Sequence, residues 1–519
     1  METGDSRNAW IEALELAPPS LSDNTADQER LLGALQKRLG GAVAQLDLSL
    51  VATLPKLLRQ WDYALRCALV FDSDAWHVCG LTGMADPQSL CGLAIDLGTT
   101  RIVLSLLNLE TGQVLQEDSF DNPQGDIGPD VLTRIHYADE EDGLRHLNRL
   151  VVDGLNGMIA DLCQRAEIGS DRIVLVALAG NTAMTHLFMG LDPRWIIREP
   201  YIPVVNRPGI RLAVRLGLEV AAGARILIFP NIGSYFGGDL IAGILYSDLD
   251  RRERTALLVD VGTNAEVVLG DQNWLIACAG AAGPALESGV SRIGTTARPG
   301  AIDQVRISGA KRSFEIRTID NAPPVGICGS GVIDLAAQLF ASGMIDIQGR
   351  FVAPACGARL IKTDGEARLV IAQADTTATG EALTIGQADL DSLIRSKAAM
   401  YTILETITEA VGMTPGQLPT FFVAGTFGAF IDPRSAITIG MLPDLPLDCN
   451  RPLGNSSLEG AKKVLRQPQS LERVDRIRDR ISYMELNVNQ AFMNRFSAAK
   501  FLPHTNPELF PSVRIPESV

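Results

Sequence analysis

Two stretches of one pattern constrain the fold of this 519-residue chain more than any other feature. In "CGLAIDLGTTRIVLSLLNLETG", starting at Cys91, an apolar strand runs into Asp96, Gly98, Thr99 and Thr100, resumes as a strand, and ends in a second tight turn at residues 110–112. In "ALLVDVGTNAEVVLG", starting at Ala256, the pattern returns with Asp260, Gly262, Thr263 and Asn264 between two apolar runs. Alternating runs joined by Gly and hydroxyl residues form β-hairpins. The N–H groups and hydroxyls of such turns can converge on one anion. A single D-x-G-T is explained by ordinary Asp-Gly turn chemistry. Two copies in the same strand-turn-strand context indicate an internal repeat.

If the halves of a duplicated domain face one another across a cleft, both turns offer N–H groups and Thr hydroxyls to phosphate oxygens. Asp96 and Asp260, at the strand ends, can then hold a hydrated Mg²⁺ between them. A nucleoside triphosphate is the expected ligand. Its base and ribose need backbone free of side chains. "GICGSGVIDL" supplies Gly329, Ser330 and Gly331 ahead of a helical run whose N-terminus favours negative charge. "FFVAGTFGAF" supplies Gly425, Thr426 and Gly428 after a buried strand. Taken singly, each reads equally well as a plain strand-to-helix turn. Hydrolysis also needs a carboxylate that orients water in line with the γ-phosphate. Asp239, in "GSYFGGDLIAGILYSD", opens a helix before the second hairpin and is the first candidate, although Asp at a helix start also reads as an N-cap. Asp260 is the second; Glu266 and Glu287 read first as structural. Arg395 and Lys397 either reach adenine or ribose from a cleft-lining helix or form a solvated face.

Around these motifs the chain reads as α/β. "RIVLVALAG" and "ARILIFPN" have strand patterns, whereas "NTAMTHLFMG" and "GGDLIAGILYSDL" have helical ones. "QADLDSLIRSKAAMYTILETITEAVG" places Leu390, Leu393, Ile394, Ala398, Tyr401 and Leu404 on one helical face before Gly412. Residues 1–20 read as a flexible linker. Residues 21–90 read as a small α+β domain, with Leu31, Leu32, Leu35 and Leu39 on one helix face, Gly40 as its stop, and a hairpin around residues 72–74. Residues 91–519 form the remainder, divided near residue 250.

Composition narrows the function classes. Lys plus Arg total 46 against 61 Asp plus Glu, for a formal charge of -15, and no basic patch is visible, so nucleic acid is excluded as the expected partner. The eight cysteines are scattered and never form C-x-x-C, so no iron–sulfur cluster is expected in this chain. The five histidines are equally dispersed. Neither a signal-peptide pattern nor an uncharged apolar window of about 18 residues is present, which makes a cytoplasmic protein without a membrane span the expectation.

The order "AIDLGTT", an Asp-led helix, "LVDVGTN" and a strand with "AGTFG" resembles the superfamily of acetate and sugar kinases, heat-shock chaperones and actin (ASKHA). More narrowly, "FDNPQGDIGPDVLTRIHYA", "GNTAMTHLF", "GPALESGVSRIGTTARPGAID", "VAGTFGAFID" and "YMELNVNQAFMNRFSAAKFLPHT" resemble the reductive activators of corrinoid proteins. The likeness runs from about Pro18 to Ser512. It implies a duplicated, actin-like ATPase core behind a small α+β domain. It also implies ATP-dependent return of an inactive Co(II) corrinoid protein to Co(I), in a methyltransferase system, and pairing into a homodimer. Asp239 resembles the acidic connect 1 position of the chaperones. Family members commonly carry an iron–sulfur domain, which the cysteines here do not supply. The expectation is a separate low-potential electron donor; a truncated form, or a branch without redox work, are the other readings. Arg101 stands where relatives carry a third Thr and is expected to point outward; Ser288 replaces a usual Gly. A small-molecule kinase and a nucleotide-switched chaperone on the same fold are the competing function classes.

Overall fold

The computed structural model describes residues 10–262, 265–280, 292–309, 312–363, 365–425, 430–484, 486 and 490–516. It falls into two compact units, Met1–Tyr246 with Ser456–Arg480, and Ser247–Asn455 with Ile481–Val519.

The first unit begins with strands β1 (Ile11–Glu15), β2 (Ala44–Leu46), β3 (Ala64–Asp72) and β4 (Ala75–Gly83), ordered β1-β3-β4-β2. Helices Asp27–Arg38 and Leu48–Gln60 bury Leu31, Leu35, Leu54 and Leu58 with Leu65, Cys67 and Trp76. Gly40, at φ 67°, stops the first helix. β1 lies inside the stretch read as a flexible linker, so that expectation is corrected for residues 11–15. The reason is electrostatic: the inward positions of β1 are Glu12 and Leu14, and the buried Glu12 is neutralised by Arg38 Nε at 2.8 Å. A strand whose core face carries an acid shows no apolar alternation.

The same unit continues with β5 (Cys91–Leu97), β6 (Arg101–Asn108), β7 (Val114–Asp121), β8 (Ile173–Gly180), β9 (Gly209–Leu212) and β10 (Arg225–Ile228), ordered β7-β6-β5-β8-β10-β9. β5, β6 and β7 form an antiparallel meander; β8 runs parallel to β5, and β10 parallel to β8. The Ser456–Arg466 helix packs on β5 and β8. It also lies directly on the Gly238–Ser247 helix, where a Cβ at Gly460 would stand 2.2 Å from the Ala242 carbonyl oxygen.

The second unit repeats this plan. Its strands are β11 (Ala256–Val261), β12 (Ala265–Gly270), β13 (Leu275–Gly280), β14 (Ala301–Ser308), β15 (Ser313–Thr318), β16 (Gly326–Ile327), β17 (Leu360–Thr363), β18 (Glu366–Ala372), β19 (Leu383–Gly386), β20 (Phe421–Ala424), β21 (Asn450–Gly454) and β22 (Ile481–Tyr483). The main sheet is ordered β21-β20-β11-β12-β13-β22, and β11, β12 and β13 again form an antiparallel meander continued by parallel β20 and β21. Two three-stranded sheets, β15-β14-β16 and β17-β18-β19, complete the unit. The duplicated hairpins are thus the centres of two matching sheets.

All six expected core positions of the Gln387–Glu409 helix are buried. So is Lys397, at 0% exposure, which corrects both readings of that residue as a ligand contact or part of a solvated face. Its Nζ donates to the carbonyl oxygens of Phe501 (2.5 Å) and Pro503 (2.7 Å), and burial holds its pKa well below the ordinary lysine value. A neutral amine has two N–H donors, one for each carbonyl. Lys397→Met orphans both acceptors, so we expect a loss of about 1–3 kcal/mol per carbonyl in denaturant unfolding. The unfolded chain binds the lysine proton more tightly than the folded one, so wild-type stability gains from rising pH up to about 10.4. The deficit of Lys397→Met should therefore widen from about pH 7 to about pH 9.5; a constant difference would contradict a neutral buried lysine.

Candidate functional site

In the first unit the parallel register sets Asp96 opposite Ala179 and Leu97 opposite Gly180. The turn after β5 therefore lies beside the N-terminus of the Thr182–Met189 helix, whose cap is Asn181. The backbone is crowded here. A Cβ at Gly98 would stand 2.2 Å from the Arg101 carbonyl oxygen; one at Gly237 would stand 2.4 Å from Asn181 Cα and 2.5 Å from Asp239 Oδ1. Only glycine fits these positions; the close approach at Gly237 brings the Asn181 and Asp239 segments together, and the Asn181–Thr99 hydrogen bond joins the Gly98 turn to them.

The side chains follow from that convergence. Asp96 is half-buried and its Oδ1 accepts the Ser457 hydroxyl at 2.7 Å. The Gly98 carbonyl accepts Asn122 Nδ2 at 2.9 Å, and Thr99 Oγ1 accepts Asn181 Nδ2 at 3.0 Å. Thr100 is exposed, with its carbonyl taking the Asn122 N–H at 2.8 Å. Arg101 points outward, to Ser119 at 2.9 Å and Asp121 at 3.4 Å. Asp239 sits in the first turn of the Gly238–Ser247 helix, and its carboxylate accepts the N–H of Leu240, one residue on, at 2.8 Å. An N-cap takes an N–H two or three residues on. Burial, then the neighbouring charge of Asp96, pushes Asp239 up to about 6. Two carboxylates repelling one another in this way favour a cation beside them.

In the second unit Asp260 lies at the end of β11, opposite Glu266 on β12 and Ala424 on β20. Gly425 takes φ 84°, and a Cβ there would meet the Val261 carbonyl oxygen at 2.7 Å and Asp260 Oδ1 at 2.9 Å. Gly262 has open space around its Cβ position. Gly329, Ser330 and Gly331 form the first turn of the Gly329–Ala341 helix. Gly331 is required by packing, since its Cβ would stand 2.2 Å from the Ile302 carbonyl oxygen. Asp334 fixes the same helix by accepting the Val305 N–H at 2.7 Å and the Ser435 hydroxyl at 2.6 Å. Thr263, Asn264, Thr426, Gly428, Glu287 and Ser288 lie outside the described residues.

Sequence reasoning missed Asn122, Asn181 and Ser457. The two asparagines stand inside "FDNPQGDIGPD" and "GNTAMTHLF", where each precedes a helical turn that it caps through its own Oδ1. Ser457 carries no local signal, because it reaches Asp96 across 361 residues of sequence.

Comparison with known proteins gives one consistent answer. The linker region of RACo matches residues 8–83, the RACo middle region residues 91–252, and the C-terminal domain of RACo, the ASKHA domain, residues 254–514. A solved structure described as a reductive activator for corrinoid, iron-sulfur protein is 36% identical, with a TM-score of 0.86 over 97% of this chain and 80% of that one. The corrinoid activation enzyme RamQ of Eubacterium limosum is 29% identical over 417 residues, 79% of this chain and 70% of that protein. The [Co(II) methylated amine-specific corrinoid protein] reductase of Methanosarcina barkeri is 25% identical over 445 residues, 78% of this chain and 75% of that protein. With linker, middle and ASKHA regions matched in sequence order, the chain belongs to the family of reductive activators of corrinoid proteins.

Proposed function

We propose that this chain returns the Co(II) corrinoid of a methyltransferase-system protein to Co(I), with ATP binding and hydrolysis coupled to the reduction and the electron supplied by a separate low-potential donor protein. The observation that carries this reading is the similarity, along 97% of the chain, to a solved activator of a corrinoid, iron-sulfur protein. The cobalt step takes one electron, while ATP and water leave as ADP and phosphate. Coupling them requires that nucleotide states differ in affinity for the two partner forms. Reversing a strongly unfavourable population takes about 5 kcal/mol of such difference.

In this reading Gly98, Thr99 and Thr100 on the first unit, and Gly262, Thr263 and Asn264 on the second, bind phosphate oxygens. Gly329, Ser330, Gly331, Gly425, Thr426 and Gly428 border base and ribose. Asp96 and Asp260 hold Mg²⁺ through water, as suits an ion that keeps several waters and needs one or two carboxylates; the mutual repulsion of Asp96 and Asp239 supports a cation there. Asp239 orients the attacking water.

The direct test is ATP hydrolysis by the purified chain with and without a Co(II) corrinoid protein and a low-potential reductant, while the cobalt spectrum is followed. Partner-stimulated hydrolysis with appearance of Co(I) is expected. Hydrolysis indifferent to the partner, with an unchanged spectrum, would favour a kinase or chaperone. Asp239→Asn should lower kcat by about 10²–10⁴-fold while nucleotide affinity is kept. The same variant should be more stable than wild type in nucleotide-free, metal-free protein. The folded state penalises the Asp239 carboxylate, whose pKa is about 6. The gain is therefore full above that value and vanishes below about pH 4, the ordinary Asp range. Thermal unfolding at both pH values checks it.

A further inference from the structure

We propose that Asn122 and Asn181 are positioning residues that turn both hydrogen-bond donors of Thr99, its N–H and its hydroxyl, toward a bound nucleotide phosphate. The inference rests on the nucleotide reading above. It assigns roles to two residues whose side-chain amides bond to the turn itself.

The argument starts from which end of each amide can donate. Asn181 Oδ1 accepts the Met184 N–H at 2.9 Å, so the atom 3.0 Å from Thr99 Oγ1 is Nδ2, a donor without acceptor capacity. Thr99 therefore accepts from Asn181, and its own proton must go elsewhere. Among the described residues none accepts it. Asn122 is fixed in the same way: its Oδ1 accepts the Gln124 N–H at 3.0 Å, so Nδ2 donates to the Gly98 carbonyl at 2.9 Å. That carbonyl and the Thr99 N–H belong to one trans peptide and point in opposite directions. Holding the carbonyl inward aims the N–H outward. Thr99 thus presents two donors, the arrangement an anion needs.

The layer behind the two asparagines is rigid and positively charged. Asn122, Gln124 and Arg134 are buried, with exposures of 4%, 0% and 1%. Gln124 Nε2 donates to the Leu147 carbonyl at 2.9 Å. Arg134 donates from Nε to the Gly128 carbonyl at 2.8 Å and from Nη1 to Gln124 Oε1 at 3.3 Å. Arg134 Nη1 and Asn122 Nδ2 both meet the Met184 sulfur, at 3.4 and 4.0 Å. Arg134 forms no ion pair among the described residues, and burial pushes it down to about 10. Asp130 acts on it electrostatically without forming an ion pair; a buried cation compensated only from a distance is costly, and an anion at the turn in front of it offsets part of that cost.

The test is ATP affinity, measured by calorimetry without a corrinoid partner, for Thr99→Val, Asn181→Asp and the double variant. Asp caps a helix as well as Asn does, so the Thr182–Met189 helix keeps its start. A carboxylate, however, accepts the Thr99 proton and turns the hydroxyl inward. Each single variant is expected to weaken ATP by about 10- to 100-fold, the worth of a hydrogen bond to a charged group. The double variant should bind ATP no more weakly than Asn181→Asp, which already carries the new carboxylate, and be weaker than Thr99→Val only by that charge repulsion, a coupling of tenfold or more. Asn181→Ser, which keeps the cap without adding charge, should weaken ATP in the wild-type background and leave Thr99→Val unchanged. Asn122→Asp acts through a backbone N–H, so its loss should be the same with or without Thr99→Val. Additive effects of Asn181 and Thr99 substitutions within twofold, or Asn181→Ser binding as wild type does, would overturn the proposal while leaving the nucleotide reading intact. Absence of ATP binding by the wild-type chain would remove both.

Discussion

In the first unit the geometry of the turn after β5 depends on the parallel pairing of β5 with β8. That register alone puts Leu97 beside Gly180 and Asp96 beside Ala179. A Cβ at Gly180 would stand 2.9 Å from the Leu97 carbonyl oxygen, so a larger residue would push the strands apart at the point where the turn needs Asn181. A slip of one residue would also send every inward side chain of a fully buried strand to the opposite face. β8 is buried at all eight of its positions, which makes such a slip too costly to compete. The position of Thr99, the direction of its donors and the repulsion between Asp96 and Asp239 all follow from a hydrophobic register set elsewhere in the strand.

The electrostatics at this turn are mixed in sign by construction. Two carboxylates lie close enough that one raises the pKa of the other, and a guanidinium that forms no ion pair among the described residues sits in the buried layer behind the turn. Such a site is poorly matched to a bare anion or to a bare cation. In the proposed reading, an anion that arrives with its own divalent ion would match both signs, the metal facing the carboxylates and the donors facing the phosphates. This is why residues that look contradictory one at a time form a coherent set.

Much of this architecture was legible in the sequence because it is written in local periodicity. The two D-x-G-T hairpins gave the duplication, and the apolar spacing of the Gln387–Glu409 helix gave its six core positions. What escaped was whatever depends on partners distant in the chain. Glu12 reads as polar, hence linker, until Arg38 closes on it. Lys397 reads as a ligand contact or as part of a solvated face until the carbonyls of Phe501 and Pro503 take up its amine. Ser457 carries no sequence signal of its role, since nothing near it in the chain names Asp96. Asn122 and Asn181 were visible as part of family-like motifs, but their purpose depends on which amide end faces the turn, and only the hydrogen-bond network fixes that.

The chain path adds a constraint on biosynthesis. Ser456–Arg480 belongs to the first unit although most of the second unit precedes it in the sequence. During translation the β5 and β8 sheet therefore emerges without the helix that covers it, and Asp96 waits 361 residues for the Ser457 hydroxyl. Domains usually fold N-terminal first as they are made. Here the first unit cannot reach its final form until Ser456–Arg480 has left the ribosome. The face of that sheet on which the Ser456–Arg466 helix packs stays open until then, and the Asp96 carboxylate gains its Ser457 partner only late in synthesis.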